Sequence, residues 1–450
     1  MRPSLHRFLA ILRWRLARHG MLLSGALRSL ANRGIGGTAA TIRRRLQPVD
    51  VPTPAAATPE LASSGGPLLL FIDAGAPTPE RDSGSVRAWR ILQSCRELGW
   101  QLAFMPDNGQ VPEPSARLLG ELGVEVIGVP GRPRLDRWLA RNGERVWTVF
   151  LCRHHVARRH LQLLRAMTSA QVVFDTVDLH HVRLHRAAAL QAAPDLQAEA
   201  ERARREEFAL IRACDATVVV SHAEHDYLRR SGVGTPLWVL SNVHDVAAGE
   251  RRFEDSRDLL FVGGYQHHPN REAIAWLCEA IMPELRKHLP GVVLHLVGDI
   301  PEAAAAGLRS DDIRVHGQVP TVEPFLLGCR ISLAPLLSGA GVKGKINEAM
   351  SHGLPVVATP VAAEGMFLAH GENALIAEDA IAFAEATARL YRDGELWQRL
   401  SRNGYRNIEA HFSSALARRT LQQLLGLPQV EEASGTIPAG PSTASRIPKE

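Results

Sequence analysis

With 450 residues, 45% hydrophobic and 22% charged, the chain exceeds one ordinary core and suits two domains of about 150–200 residues with extensions. Its five cysteines, Cys95, Cys152, Cys214, Cys278 and Cys329, are scattered and never form a CxxC pair, which argues against a disulfide framework and a thiolate zinc site. No run reaches the roughly 18 apolar residues of a membrane span, and Phe8 to Leu12 is cut short by Arg13 and Arg15, so the chain reads as cytoplasmic.

Charge is segregated. Residues 1–49 hold ten arginines and no acidic residue, so the formal net charge of +5 belongs to this arm. Phe8, Leu9, Ile11, Leu12, Leu16, Met21, Leu22, Leu23, Leu27 and Leu30 recur between the arginines with helix-like spacing. That is the pattern of an interfacial amphipathic helix facing anionic lipid, which would place the protein peripherally on the inner face of the cell membrane through residues 1–47. A partner-binding or unstructured tail is the alternative. The arm matches no nucleic-acid module, and nucleic acid is not expected as a partner. From Gln47 to Pro67 the chain is rich in Pro, Ala, Thr and Ser. Residues 1–66 therefore read as arm and flexible linker, with the fold of the core independent of them.

Strand-like runs follow at Leu68–Asp73, Gln101–Met105, Val124–Ile127, Val146–Leu151, Gln171–Asp175, Ala216–Ser221 and Leu237–Ser241. Helical stretches fill the gaps, among them Val86–Leu98 and a long charged helix from Ala187 to Arg212. This is the rhythm of a doubly wound α/β sheet over 67–250. The loop after the first run contains Arg81, Asp82, Ser83 and Gly84, with Ser85 as the expected N-cap of the next helix. Phe174 to Arg183 leaves a buried run with Asp175, Asp178, His180 and His181, a polar cluster at a strand's carboxyl end. It reads as a cleft site, as plain helix capping or, less simply, as metal ligands.

A second series, over 256–425, begins at Leu259–Gly263 and continues at Val292–Val297, Ile313–His316, Ile331–Ala334, Pro355–Thr359 and Ala374–Ala377. Helices over Ala380–Tyr391, Leu396–His411 and Ser414–Leu424 close it, and 426–450 reads as a disordered tail. Gly263 and Gly264 permit close approach of backbone to a ligand, followed by His267, His268 and Asn270 before a helix near Arg271. Gly317 and Val319 lie in a GxxP turn after the third run. The most informative segment runs from Gly339 to Met350. A helix from Val342 to Gly353 would aim its free N–H groups and Lys343 at one point, with Lys345 nearby, which suits a phosphate. Glu348 lies inside that helix, where a carboxylate can accept from a vicinal hydroxyl pair such as a ribose. A glycine loop entering an amphipathic helix with solvated lysines is the plain alternative.

The stretch from Gly339 to Thr359 resembles the donor-site signature of family 4 (group 1) glycosyltransferases of the GT-B fold, and the similarity extends from about Leu68 to Leu425. The resemblance implies two Rossmann-like domains facing across a cleft, with acceptor side first and donor side second, and a final helix, Ser414–Leu424, returning to the first domain. It implies a retaining transferase using a nucleotide-diphospho-sugar as co-substrate, with no other cofactor and no bound metal. The acceptor would be a cell-surface glycan or its lipid-linked precursor. By the same resemblance Gly263, Gly264, His267, Asn270, Gly317, Val319, Gly341, Lys343, Lys345 and Glu348 bind donor, Arg81 to Gly84 form the acceptor loop, and Asp178 and His180 position the reacting sugar.

The chain departs from the family twice. Many members carry an Arg and a Lys where this chain has His267, His268 and Asn270, which shifts phosphate neutralisation onto Lys343 and Lys345. The first of the two glutamates common in the signature is Ala340 here, leaving backbone around Gly339 and Gly341, or Glu364, to replace it. These departures keep two rival readings open, a non-catalytic nucleotide-binding scaffold of a membrane glycan assembly and a sugar-nucleotide epimerase.

Overall fold

The computed structural model describes residues 7–16, 66–79, 83–191, 194–247, 251–339 and 341–426. Arg81, Asp82, Ala340, most of the basic arm, nearly all of the Pro/Ala linker and the tail from 427 lie outside them. The described residues form thirteen strands in two parallel sheets. The first holds β1 (Leu68–Asp73), β2 (Gln101–Pro106), β3 (Glu125–Val126), β4 (Val146–Cys152), β5 (Gln171–Asp175), β6 (Ala216–Val219) and β7 (Leu237–Val239), in the order β3-β2-β1-β4-β5-β6-β7. The second holds β8 (Leu259–Val262), β9 (Leu294–Val297), β10 (Ile313–Gly317), β11 (Ile331–Ala334), β12 (Val356–Ala358) and β13 (Leu375–Ile376), in the order β10-β9-β8-β11-β12-β13. Every expected strand-like run contains one of these strands or ends one residue short of it.

Why the runs are apolar throughout is plain from β1. Leu68, Leu70 and Ile72 pack into one buried layer, while Leu69 and Phe71 pack into the other. Helices cover both faces, so alternation has nothing polar to alternate with. Phe71 stacks between Phe104 of β2 and Phe150 of β4, with ring centroids 5.8 and 5.4 Å away. The last helix, Ser414–Leu424, returns to this domain. Ala417, Leu421 and Leu424 enter its second layer beside Ile91 and Leu92, and Arg418 pairs with Glu97 at 2.9 Å.

Three expected elements are corrected. The single charged helix is two, His180–Gln191 and Pro194–Ala213; Pro194 has no N–H with which to continue a helix but fits the start of one. The helix after β1 begins at Ser83 rather than Val86, so Ser85 lies in its first turn and is not its N-cap; its hydroxyl lies 3.4 Å from that of Thr78. The donor-type helix spans only Gly344–Ser351, because Lys343 is held extended as N-cap (φ −92°, ψ 93°) and Gly353 turns left-handed behind it.

The arm is not wholly independent of the core. Residues 7–16 form a helix whose Trp14 is buried at 4% exposure, with Ile11 beside it against the first domain. The indole N–H of Trp14 donates to Nδ1 of buried His160 at 3.0 Å, and Nε2 of that ring reaches Asp107 at 2.7 Å. Arg15 pairs with buried Asp136 at 2.5 Å.

A buried ion pair joins the layers. Arg87, from the helix Ser83–Glu97, meets both oxygens of Asp175 at the end of β5 (2.6 and 3.1 Å) and also donates to the carbonyl of Leu240. Both side chains are almost fully buried, so removing one strands the other's charge. Asp175→Ala should destabilise the protein by about 3–5 kcal/mol in urea denaturation. The double change Arg87→Met, Asp175→Val should cost clearly less than the single one.

Candidate functional site

Strand order reverses between β8 and β11 in the second sheet and between β1 and β4 in the first. Crevices at such points, beyond the carboxyl ends of the strands, are where ligands bind in open α/β sheets. The predicted donor-side residues sit on loops that leave β8, β10 and β11, and these loops are laced together. Gly263 N–H donates to Val297 O at 2.9 Å, and Gly298 N–H to Gly317 O at 3.0 Å. A side chain at 298 would strike the carbonyl of Gly263, and its φ of 152° is one that few other residues adopt.

Asn270 and Lys345 lie directly over Gly263. The Asn270 amide donates to Gly264 O at 2.9 Å and its oxygen accepts from Lys345 Nζ at 2.7 Å, while that ammonium sits 4.2 Å from the Phe261 ring centroid. No carboxylate of the described residues pairs with Lys345, and burial holds its amine down to about 7. His267 stands at the N-cap position of the helix His268–Trp276 without a side-chain capping bond. Partial burial, with Lys345 and Arg183 nearby, lowers its pKa, so the ring is mainly neutral at pH 7. Val319, beyond Gly317, is half-buried against the second-domain core.

Lys343 is 7% exposed, and among the described residues its Nζ bonds only the carbonyl of Glu364, at 3.4 Å. Burial brings its pKa to about 8, with Glu364 opposing the shift. Glu348 stands on the next turn. Its carboxylate accepts no hydrogen bond from any described residue, and burial raises its pKa while His352 opposes the rise. A half-buried carboxylate that accepts from no described residue and keeps its oxygens open to solvent is available to hydroxyl ligands. The helix start abuts the other domain: any side chain at 344 would collide with Ser83, and Asn242 lies just beyond. Glycine at 344 is therefore required by close approach of the two domains. Gly84 follows Ser83 in the first turn of its helix.

Opposite, the loop after β5 brings Asp178 against Gly341, about 3.7 Å from where a Cβ there would stand. Asp178 pairs with Arg183 at 3.1 Å. His180 stacks on His154 with centroids 4.8 Å apart, and its Nδ1 accepts from Arg183 at 2.8 Å. Desolvation, Arg183 and His154 hold its pKa below the usual histidine value. Val177 has φ 62°, an outlier for a β-branched residue, and its N–H donates to Asp175. Strain at this point is of order 1–3 kcal/mol and holds the turn that aims Asp178.

Asp175 and His181 are not cleft groups. Asp175 is taken by Arg87, and His181 is buried between Glu207 at 2.5 Å and the Tyr227 hydroxyl at 2.9 Å. Among the described residues no group of three or more His, Cys, Asp or Glu is placed to hold a metal ion. Three residues missed in the sequence help build the cleft. Buried Glu224 accepts from the N–H groups of Leu179 and Val220, and desolvation raises its carboxyl to about 7. Arg186 crosses to the second domain, donating to Gly339 O at 2.5 Å and pairing with Glu364 at 2.7 Å. Arg183 lies one turn before it, a spacing of three that the sequence displayed.

Residues 256–393 match the family model for glycosyl transferases group 1. An uncharacterized 44.6 kDa protein in a cps region of Klebsiella pneumoniae is 26% identical over 166 residues, which cover 35% of this chain and 43% of that relative. The sucrose-phosphate synthase of Thermosynechococcus elongatus superposes with a TM-score of 0.61 at 18% identity, over 80% of this chain and 98% of that one. Anabaena HepE in complex with UDP does so with a TM-score of 0.61 at 13% identity, over 80% and 99%. The chain has the GT-B fold of these structures, and its second domain carries the group 1 pattern.

Burial of Lys345 makes stability depend on pH. The folded state releases this proton near 7 and the unfolded chain near 10.4, so between these values the unfolded state binds more protons and stability rises with pH. Lys345 should contribute up to about 1 kcal/mol per pH unit from pH 7 to 9, in addition to buried Lys343, and Lys345→Met should reduce the slope without abolishing it. Chemical denaturation at three pH values checks it.

Proposed function

We propose that the chain is a retaining glycosyltransferase that moves a sugar from a nucleotide-diphospho-sugar to a cell-surface glycan or lipid-linked acceptor. The observation that carries the reading is Glu348: a half-buried carboxylate with no donor among the described residues, one turn past Lys343, at the strand-order reversal of the matched domain. In that reading Glu348 accepts from the ribose hydroxyls, Lys343 faces the diphosphate, and the β8 and β10 loops present backbone to the phosphates and base. Lys343 and the start of its helix stabilise the leaving diphosphate, work that in other enzymes falls to a divalent ion. Asp178 and His180 orient the donor sugar from the first domain. Neutral His180 is suited to hydrogen bonding rather than to carrying a charge. HepE has been captured with UDP-glucose, which makes a UDP-sugar the first donor to try.

Support for a membrane-side acceptor comes from the N-terminal helix. Trp14 and Ile11 fix one side of it, while Phe8, Leu9, Leu12 and Leu16 stand 54, 40, 41 and 63% exposed on the chain's surface. No helix among the described residues is long and apolar enough to cross a membrane. An apolar stripe between arginines, clamped to the first domain, fits a protein that lies on anionic lipid and takes its acceptor there.

Glu348→Gln preserves shape but removes the charge that strengthens the ribose bonds, so donor affinity should fall by about tenfold or more with the fold intact. Calorimetry with UDP, GDP, dTDP and ADP against wild type and variant is the direct test; an unchanged dissociation constant removes Glu348 from the site. Lys343→Ala should weaken the diphosphate and leave the free nucleoside nearly untouched.

Vesicle co-sedimentation tests the membrane reading. The full chain should pellet with anionic vesicles at low salt and less at high salt. Deletion of residues 1–60 should abolish pelleting, and Trp14→Ala, which unclamps the helix, should alter its hydrogen-exchange protection before it alters that of β1. Equal pelleting of all forms refutes the reading.

A further inference from the structure

The loop after β8, through Asn270, carries no lysine or arginine. His267 is held mainly neutral, His268 faces Glu272 at 3.5 Å, and Asn270 is occupied by Gly264 and Lys345. Within the second domain the neutralisation of a diphosphate would fall on Lys343, whose own burial brings it close to losing its proton. Two formal charges on the ligand would then meet one weakened cation. Across the cleft the helix His180–Gln191 presents Arg183 and Arg186 three residues apart, on one side of the helix. Arg183 is engaged by Asp178 and His180. Arg186 is anchored to the glycine loop itself. Its Nη1 donates to Gly339 O at 2.5 Å and its Nη2 to the half-exposed Glu364 carboxylate at 2.7 Å. The carbonyl of that same Glu364 holds the Lys343 ammonium.

We propose that Arg186, from the first domain, is a donor-binding residue that supplies the second cation for the diphosphate, exchanging the Glu364 carboxylate for a phosphate oxygen while keeping its bond to Gly339. This rests on the donor-site reading above. The planar guanidinium can make that exchange because its two Nη atoms point to separate acceptors, and its fork fits phosphate as well as carboxylate. The Glu364 pair is partly solvated and so is weak enough to give way. A second consequence follows from the position of Arg186. The cation belongs to the opposite domain, so the diphosphate subsite is complete only when the domains approach as closely as Gly344 and Ser83 do here. Diphosphate affinity and domain closure are then one equilibrium.

Calorimetry on the full chain with nucleoside diphosphates (UDP, GDP, dTDP and ADP) and the matching nucleosides separates the outcomes. Arg186→Ala should weaken the diphosphate about tenfold or more and the nucleoside less than about twofold, with Arg186→Lys between wild type and alanine. Glu364→Gln, which frees the guanidinium, should leave diphosphate affinity unchanged or tighter; if the alanine variant does not fold, this and the lysine variant still decide. Equal losses for nucleoside and diphosphate, or no loss, would make Arg186 an interdomain strut and overturn the proposal. Should Glu348→Gln still weaken binding in that case, the donor reading stands without Arg186. If wild type binds none of the four diphosphates, the donor reading fails and this proposal fails with it.

Discussion

The buried pair of Arg87 and Asp175 is the constraint on which the site depends. It joins the helix that starts at Ser83 to the end of β5, and the same guanidinium holds the Leu240 carbonyl just past β7. Each of those three points leads to an element of the candidate site. Ser83 meets the start of the second domain's glycine-loop helix, β5 leads through strained Val177 to Asp178, and the chain after Leu240 runs past Asn242 toward the second domain. A pair this deep contributes little net stability because desolvation offsets attraction, yet losing one partner is costly. Its role here is to fix three elements in one geometry.

Charge in the cleft follows from that geometry. Lys343 and Lys345 sit a residue apart in sequence but do different things. Lys345 is turned inward against Gly263, bound to Asn270 and beside the Phe261 ring, and braces the loop after β8. Lys343 faces the glycine loop and Glu364. Both amines are held well below the ordinary lysine value by burial, so an anion arriving nearby raises their proton affinity and binding is linked to proton uptake. The face across the cleft carries the guanidinium groups of Arg183 and Arg186.

The N-terminal helix shows how one segment can serve two surfaces. Trp14 could have been a membrane-interface aromatic by its composition alone. Its indole N–H instead finds His160, and that ring finds Asp107, because a buried indole needs an acceptor. What remains for another surface is the opposite stripe, Phe8, Leu9, Leu12 and Leu16.

Apolar runs between helical stretches were sufficient to read thirteen parallel strands and the doubly wound plan, since strands covered on both faces leave no choice but continuous hydrophobicity. The unit of strand, glycine loop, helix and strand around Lys343 and Glu348 was legible for the same local reason: it lies within one stretch of sequence. Pro194 was visible in the sequence too, and its break in the charged helix was overlooked. Tertiary structure alone decided which of these acids and histidines are sealed in the core. Asp175 and His181 read as equals of Asp178 and His180 until Arg87, Glu207 and Tyr227 are brought to them from 26 to 88 residues away. Likewise Arg186 meets Gly339 across 153 residues. Periodicity encodes which side of an element is apolar, whereas the partner of a buried charge is set by how two domains pack, and no local pattern carries that information.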